Sequence, residues 1–310
     1  MRLSALSVDL DSLPHYCRIQ GLPETLLDER ARGLVASKAI PRLLELFARH
    51  RSPATFFVIG ADVGLPGMRE ALRTSHAAGV ELASHSFSHD YALSRRPLAE
   101  IEADLVQCEA ALDTVGVKPR GFRAPGYTLS PSLLQAVAAR GYEYDSSAFP
   151  ATPYYLAKGS VMGVLKALGR PSRAILDSPR VLLAPRTPYR PSLQAPYSRG
   201  HSALVELPMA VAPFTRLPFI GTFATSAPWV LVEAAFRSLR RDVLFNFEMH
   251  ALDVLDHTDG VPRELVRQQR DLQVPARVKL ERLGKLFAWL GADRERVTVL
   301  DAARRLKPTL

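Results

Sequence analysis

Residues 81–89 read ELASHSFSH, a short apolar segment followed by histidines at positions 85 and 89. On a helical turn, this i, i+4 spacing places both imidazoles on one face. Two imidazoles on one face can hold a divalent metal when a third ligand arrives from elsewhere in the chain. Histidines four residues apart are more often solvated or capping residues, so the rest of the sequence has to supply the third ligand.

Short apolar runs alternate with amphipathic segments along most of the chain. Strands are predicted at residues 3–10, 54–59, 80–83, 119–123, 142–145, 203–207, 243–247 and 297–300. Helices are predicted at residues 36–49, 66–78, 98–115, 130–139, 228–240 and 276–290. Repeated strand-helix units favour an α/β fold with parallel strands, and 310 residues suit a single α/β barrel.

In such folds, functional groups gather at the carboxyl ends of the strands. Candidate residues fall at these places: Asp9, Asp11, His85, His89, Arg123, Asp145 and His250. Asp11, His85 and His89 would give three protein ligands with an open position, the arrangement of a catalytic zinc or related site. Asp9 would then stay free as a base. The alternative for Asp11 is a turn, since an Asp-Ser-Leu-Pro sequence suits one.

The composition limits the partners. A hydrophobic content of 47% provides ample material for a core, and the net charge of +9 suits either anionic partners or a solvated basic exterior. Basic clusters do not coincide with interleaved aromatics, so no nucleic acid is expected. Two cysteines fit a reducing compartment, and the N-terminus lacks an apolar signal segment. We expect a cytoplasmic protein with peripheral contact at the inner membrane surface and no obligate protein partner.

Residues 149–202 differ in composition from the rest, being rich in Pro, Tyr, Arg and Ser. We predict a long insertion with one helix at residues 155–168. Its apolar face is flanked by Lys and Arg, a pattern that suits an anionic bilayer surface. The same segment could instead cover the barrel mouth and bind a substrate phosphate, or simply pack on the barrel.

The candidate residues lie in motifs that resemble, in order, those of the polysaccharide deacetylase family, carbohydrate esterases with a NodB-like fold. Residues 7–11 (SVDLD) are similar to the first motif, 54–58 (ATFFV) to the second-strand signature, and 85–89 (HSFSH) to the H-[ST]-x-x-H metal motif. Residues 123–127 (RAPGY) are similar to R-x-P, 145–149 (DSSAF) to D-x-x-x-W, and 248–250 (EMH) stand where L-x-H belongs. The resemblance implies a distorted parallel (β/α) barrel of the NodB type. One domain would span residues 1–310, with 149–202 inserted at the substrate cleft.

The resemblance also implies a metal site and a base. Asp11, His85 and His89 would bind one divalent metal, zinc in the first place, with cobalt, nickel or iron as alternatives. Asp9 would deprotonate the metal-bound water. Arg123 would orient Asp9 and lower its pKa, so that the carboxylate is ionised at neutral pH.

The remaining roles concern the acid and the substrate. His250 would be the general acid that protonates the departing amine, and Asp145 would pair with it. A backbone N–H, that of Gly126, would stabilise the oxyanion. The resemblance places four residues against the substrate: Pro125, Gly126, Tyr127 and Phe149.

The implied reaction is hydrolytic N-deacylation, most simply N-deacetylation, of an N-acylated sugar. The missing signal segment favours an intracellular or lipid-linked glycan. A deformylase or a cyclic-amide hydrolase of the same fold is the alternative, and a non-catalytic sugar-binding relative is a third possibility. Three departures stand out: Leu10 separates the two aspartates, Glu248 replaces the leucine of L-x-H, and Phe149 replaces a tryptophan. The last two leave the acyl group open.

Overall fold

The computed structural model of the chain describes residues 2–167 and 175–310. Eight strands form one parallel sheet: β1 (Leu3–Asp9), β2 (Ala54–Val58), β3 (Glu81–Ser84), β4 (Gly121–Phe122), β5 (Tyr144–Asp145), β8 (Val205–Glu206), β9 (Leu244–His250) and β10 (Glu295–Val297). Between β5 and β8, β6 (Pro191–Ser192) and β7 (Ala195–Arg199) form an antiparallel hairpin.

Helices surround this sheet, as the alternating sequence predicts. They are α1 (Leu13–Gln20), α2 (Glu29–Arg32), α3 (Ile40–His50), α4 (Met68–Ala77), α5 (Leu98–Asp113), α6 (Pro131–Ala139), α7 (Thr152–Ala167), α8 (Gly221–Ser226), α9 (Trp229–Ser238), α10 (Arg263–Gln268), α11 (Ala276–Asp293) and α12 (Val299–Leu306). None of the described helices combines the length and the apolar composition that crossing a membrane requires.

The sheet curls into a distorted barrel. Its order is β9-β1-β2-β3-β4-β5-β8, and β10 pairs with the first half of β1. Beyond β8, the N–H of Ala210 donates to the carbonyl of Asn246 on β9 at 2.9 Å, and the Asn246 amide donates to Leu207 O at 2.8 Å. The predicted parallel (β/α) barrel is therefore confirmed.

Strand periodicity divides the barrel interior into an apolar and a polar end. On β1, Leu6 and Val8 face outward and pack in the cluster that the helices cover. The other face runs Leu3, Ala5, Ser7 and Asp9, so it is apolar at the amino end and polar at the carboxyl end. β9 repeats this pattern beside β1, and its register places Glu248 opposite Ser7 and His250 opposite Asp9. The polar end of the barrel is where the candidate residues meet.

Two local predictions need correction or comment. The strand predicted at residues 297–300 is wrong: β10 ends at Val297 and α12 begins at Val299. Thr298 is the helix cap, and its hydroxyl accepts from the Asp301 N–H at 3.1 Å, which ends the strand early. The helix predicted at residues 155–168 is confirmed as α7, while its predicted last residue, Leu168, lies outside the described residues.

Candidate active site

A cavity of about 450 Å³ opens at the carboxyl edge of the barrel. Seven of the predicted residues line it: Asp9, Asp11, His85, His89, Gly126, Tyr127 and His250. The other four do not: Arg123, Pro125, Asp145 and Phe149. The ends of the contributing strands bring these groups to one edge, because the strands are parallel and their carboxyl ends coincide.

Asp11, His85 and His89 form a compact buried cluster whose ligand atoms lie within 4.8 Å of one another. His85 Nε2 is 3.6 Å from Asp11 Oδ1, and His89 Nε2 is 3.5 Å from Asp11 Oδ2. The two histidines do not share a helical turn, contrary to the prediction from their spacing. They lie in a loop after β3 in which Ser86 (φ 64°) and His89 (φ 52°) are left-handed, and this brings the rings together.

The donor set of this cluster fits a divalent metal. The 3.5 and 3.6 Å distances are too long for hydrogen bonds, and Asp11 Oδ1 is buried without a hydrogen-bond partner among the described residues. Two ligand atoms about 2.0–2.1 Å from one tetrahedral ion lie roughly 3.4 Å apart, close to the separations found here.

The protonation of the two imidazoles also suits metal binding. His85 Nδ1–H donates to the Arg123 carbonyl at 2.8 Å, so the lone pair of Nε2 points at the cluster. Burial lowers the pKa of His89 well below its usual value, which keeps that ring neutral. Burial raises the pKa of Asp11, which favours the protonated carboxyl. A bound cation would act in the opposite direction and favour the carboxylate.

Asp9 is fully buried beside this cluster and pairs with Arg123. Arg123 Nη1 donates to Asp9 Oδ1 at 2.5 Å, and Asp9 Oδ2 lies 3.8 Å from His85 Nε2. The guanidinium is itself fixed by Ser7 and Ser146, and lies 3.9 Å over the Phe57 ring. Burial alone would raise the pKa of Asp9, but Arg123, with the histidines, holds that pKa below its usual value. Asp9 is thus an ionised carboxylate at neutral pH.

His250 ends β9 and faces the cavity with Nε2, which is 3.3 Å from the Tyr127 hydroxyl. Its other ring nitrogen, Nδ1, is 2.9 Å from Oε1 of the fully buried Glu248. Burial alone would lower the pKa of His250, but Glu248, Asp11 and Asp9 hold that pKa well above its usual value. The ring is therefore a cationic proton donor at neutral pH.

The predicted pairing of Asp145 with His250 is wrong. Asp145 lies on β5, opposite Glu206 of β8, and β8 separates it from β9 in the sheet. Its carboxylate accepts from the Ser147 hydroxyl at 2.7 Å and the Ser147 N–H at 3.2 Å. Burial raises the pKa of Asp145 and raises that of Glu206 further, so these adjacent carboxyls hold a proton between them. The prediction failed because sheet order decides which strands are neighbours.

The turn after β4 shapes the wall next to His250. Gly126 (φ 62°) and Tyr127 (φ 62°) are both left-handed, and a Cβ at position 126 would lie 2.6 Å from the Tyr91 ring. Only glycine fits there. Phe149 lies behind Tyr127, with ring centroids 5.4 Å apart, and so supports the wall without reaching the cavity.

The sequence between residues 30 and 144 matches the family model for polysaccharide deacetylases, and this stretch includes His85, His89 and Arg123. The chain is 31% identical to the peptidoglycan deacetylase of Helicobacter pylori over 160 residues, which are 51% of this chain and 54% of that protein. Over residues 30–144 the chain carries a polysaccharide deacetylase sequence, and this is the family that the chain resembles.

Two further proteins are similar to the chain, one in sequence and one in fold. A chitooligosaccharide deacetylase of Bradyrhizobium sp. is 34% identical over 103 residues, or 33% of this chain and 46% of that protein. The chain thus spans about half the length of the curated relatives it matches. A crystal structure from Mycobacterium smegmatis, assigned to the same family, superimposes with a TM-score of 0.63 at 17% identity, over 99% of this chain and 90% of that one. That likeness is one of fold.

The site also contains residues outside the predicted set: Glu248, Tyr91, Tyr154 and Lys158. Glu248 had a local signal, since it lies two positions before His250 on a strand and therefore on the same face. Tyr154 and Lys158 come from α7, so this helix contributes to the cavity wall. Lys158 Nζ lies 5.7 Å from the Tyr154 ring centroid, and burial lowers the pKa of Lys158 to about 8.

Proposed function

We propose that the chain hydrolyses the N-acyl group of an acylated sugar, with an acetyl group as the simplest case. One observation carries this proposal: a single cavity places a metal-type cluster beside an ionised carboxylate and a cationic histidine. Amide hydrolysis needs these three functions together, namely a Lewis acid, a base and an acid. The similarity to peptidoglycan and chitooligosaccharide deacetylases supports a sugar amide as the substrate.

Asp9 and His250 divide the proton transfers. Asp9 would take a proton from the water that attacks the acyl carbon, since Arg123 keeps the carboxylate ionised and fixed. His250 would give its Nε2 proton to the amine nitrogen as the carbon–nitrogen bond breaks. The products are the free carboxylic acid and the amino sugar. Each proton transfer contributes about 100- to 10,000-fold in rate.

Asp11, His85 and His89 would hold the divalent metal. When bound, it would supply Lewis-acid polarisation of the acyl carbonyl and of the attacking water. In the turn opposite, the Tyr127 N–H already donates to Ala124 O at 3.0 Å. Gly126, which lines the cavity, is therefore the residue of this turn proposed to donate its N–H to the developing oxyanion.

We further propose that the sugar is part of a large or lipid-linked, anionic glycan that the enzyme meets at a membrane surface. α7 supports this idea from both of its faces. Its inner face gives Tyr154 and Lys158 to the cavity, an aromatic ring and a cation that suit a sugar and a phosphate. Its outer face exposes Leu156, Val161 and Val164, each more than half exposed.

A substrate panel tests both proposals. The metal-loaded protein would be given N-acetyl and N-formyl sugars, free and lipid-linked, and released acid would be measured against an Asp9→Asn blank. Release of acetate that the blank lacks is the expected result, with faster turnover of the lipid-linked sugars. No acid from any N-acyl sugar would refute deacylation, and equal rates on free and lipid-linked sugars would refute the membrane substrate alone.

A further inference from the structure

Glu248 is a carboxylate at a position where the family's L-x-H motif has leucine, and it is fully buried on the inner face of β9. We propose that Glu248 is the positioning residue of His250. Its carboxylate forms an ion pair with the Nδ1 edge of the ring and so turns Nε2 toward the scissile amide. This inference rests on the proposed function, because His250 is the acid in that reaction.

Side chains flank both nitrogens of the ring, and a backbone hydrogen bond fixes the residue that carries it. Glu248 Oε1 lies 2.9 Å from Nδ1, and the Tyr127 hydroxyl lies 3.3 Å from Nε2 at the opposite edge. The backbone N–H of His250 donates to Asp253 Oδ2 at 2.9 Å, which fixes the end of the strand. Strand periodicity supplies this geometry directly, because residues 248 and 250 point to the same face.

A purely structural role, as counter-charge to the buried Arg123, does not account for the contacts. The hydrogen bonds of the guanidinium go to Asp9, Ser7 and Ser146. Among the described residues, the basic side chain that forms an ion pair with Glu248 within 4 Å is that of His250. A buried carboxylate without a partner is costly, so the ion pair with His250 explains why this charge is tolerated.

Other groups also act on the protonation of His250, and they limit the size of the expected effect. Asp9 from β1, Asp11 after it and Asp253 after β9 add negative charge, and Tyr127 adds a hydroxyl. Removing Glu248 therefore weakens the cationic form of the ring without abolishing it. An opposite charge within about 4–6 Å shifts a pKa by roughly 1–3 units.

The test compares Glu248→Gln, Glu248→Asp and the control Glu206→Gln in zinc-loaded protein. Glu206 is equally buried, but it contacts Asp145 and Ala148 and not His250. Two measurements are made: the 15N NMR titration of the His250 ring, and the pH profile of kcat/KM on an N-acetylated chitooligosaccharide. The first measurement needs no turnover.

For Glu248→Gln we expect the His250 titration and the basic limb of the profile to move to lower pH by roughly one unit or more. The acid form is lost earlier as pH rises, and kcat should fall by at least about 10-fold. Glu248→Asp keeps the charge and should fall between parent and Glu248→Gln, while Glu206→Gln should leave the titration in place.

An unchanged His250 titration in both Glu248 variants would overturn the proposal, as would an equal shift in Glu206→Gln. If the parent releases no acid from any sugar, deacylation fails while the NMR titration still decides the role of Glu248. If Glu248→Gln does not fold, the comparison of Glu248→Asp with Glu206→Gln decides it.

Discussion

Replacing Arg123 by glutamine should be among the most damaging single changes in this chain. The side chain is fully buried and donates four hydrogen bonds, to Asp9 at 2.5 Å, to Ser146 O at 2.8 Å, and to the Ser7 and Ser146 hydroxyls at 3.0 Å each. Removal leaves Asp9 as an uncompensated buried charge, which costs about 3–5 kcal/mol of unfolding free energy. Protonating Asp9 instead would abolish the base and lower turnover by at least about 100-fold.

Arg304 provides a matched control. It makes two 2.8 Å hydrogen bonds to Glu143, but its side chain is 52% exposed. Arg304→Gln should therefore cost no more than about 1 kcal/mol. Urea unfolding of parent and both variants measures the difference, and burial rather than the number of bonds should decide it.

The pH dependence provides a second check on Arg123→Gln. Because the pKa of Asp9 is held below its usual value, its stabilising contribution is present above the unfolded pKa of about 3.9 and is lost as pH falls through the folded value. In Arg123→Gln the buried Asp9 loses the guanidinium and its pKa rises, so protonation at pH 4 would relieve the cost of the buried charge. The stability gap between parent and Arg123→Gln should therefore be smaller at pH 4 than at pH 7. A gap that equals the Arg304→Gln effect, or that does not change with pH, would refute the reasoning.

Three further predictions concern the metal, the base and the wall of the cavity. The isolated protein should carry about one divalent metal per chain. His85→Ala should lose this metal while its far-UV circular dichroism stays that of the parent, and equal metal content in parent and variant by elemental analysis would contradict the ligand set. Asp9→Asn should keep the metal but lose at least about 100-fold in turnover, whereas Asp11→Asn should weaken metal affinity, and the reverse pattern would exchange their roles. Gly126→Ala places a Cβ 2.6 Å from the Tyr91 ring at a φ of 62° and should lower the free energy of urea unfolding by about 1–3 kcal/mol. The control Gly64→Ala has nothing within 4 Å of its new Cβ and should be close to neutral, and equal losses in the two variants would argue against the steric reason.

Local patterns in the sequence determined the strands, most of the helices and the positions of the candidate groups. β1 is buried along its whole length, and its apolar run ends at Asp9, so Asp9 could be assigned to the end of a strand before any pairing was known. The helix cap at Ser130 is another feature that follows from local sequence. Its hydroxyl accepts a hydrogen bond from the N–H of Leu133, three residues later in the chain. Such features depend on neighbours in the chain and can be read from it.

Which groups meet was decided by the tertiary structure. The i, i+4 spacing of His85 and His89 suggested a helical turn, but two left-handed residues in a loop bring the rings together. The partner of His250 is Glu248 and not Asp145, because the order of strands around the barrel places β8 between β5 and β9. Strand periodicity is a property of each segment alone, whereas sheet order and the closure of the barrel arise from the packing of segments distant in sequence. The sequence therefore determined which chemical groups stand at the barrel edge, and only the packing of the strands decided which of them touch.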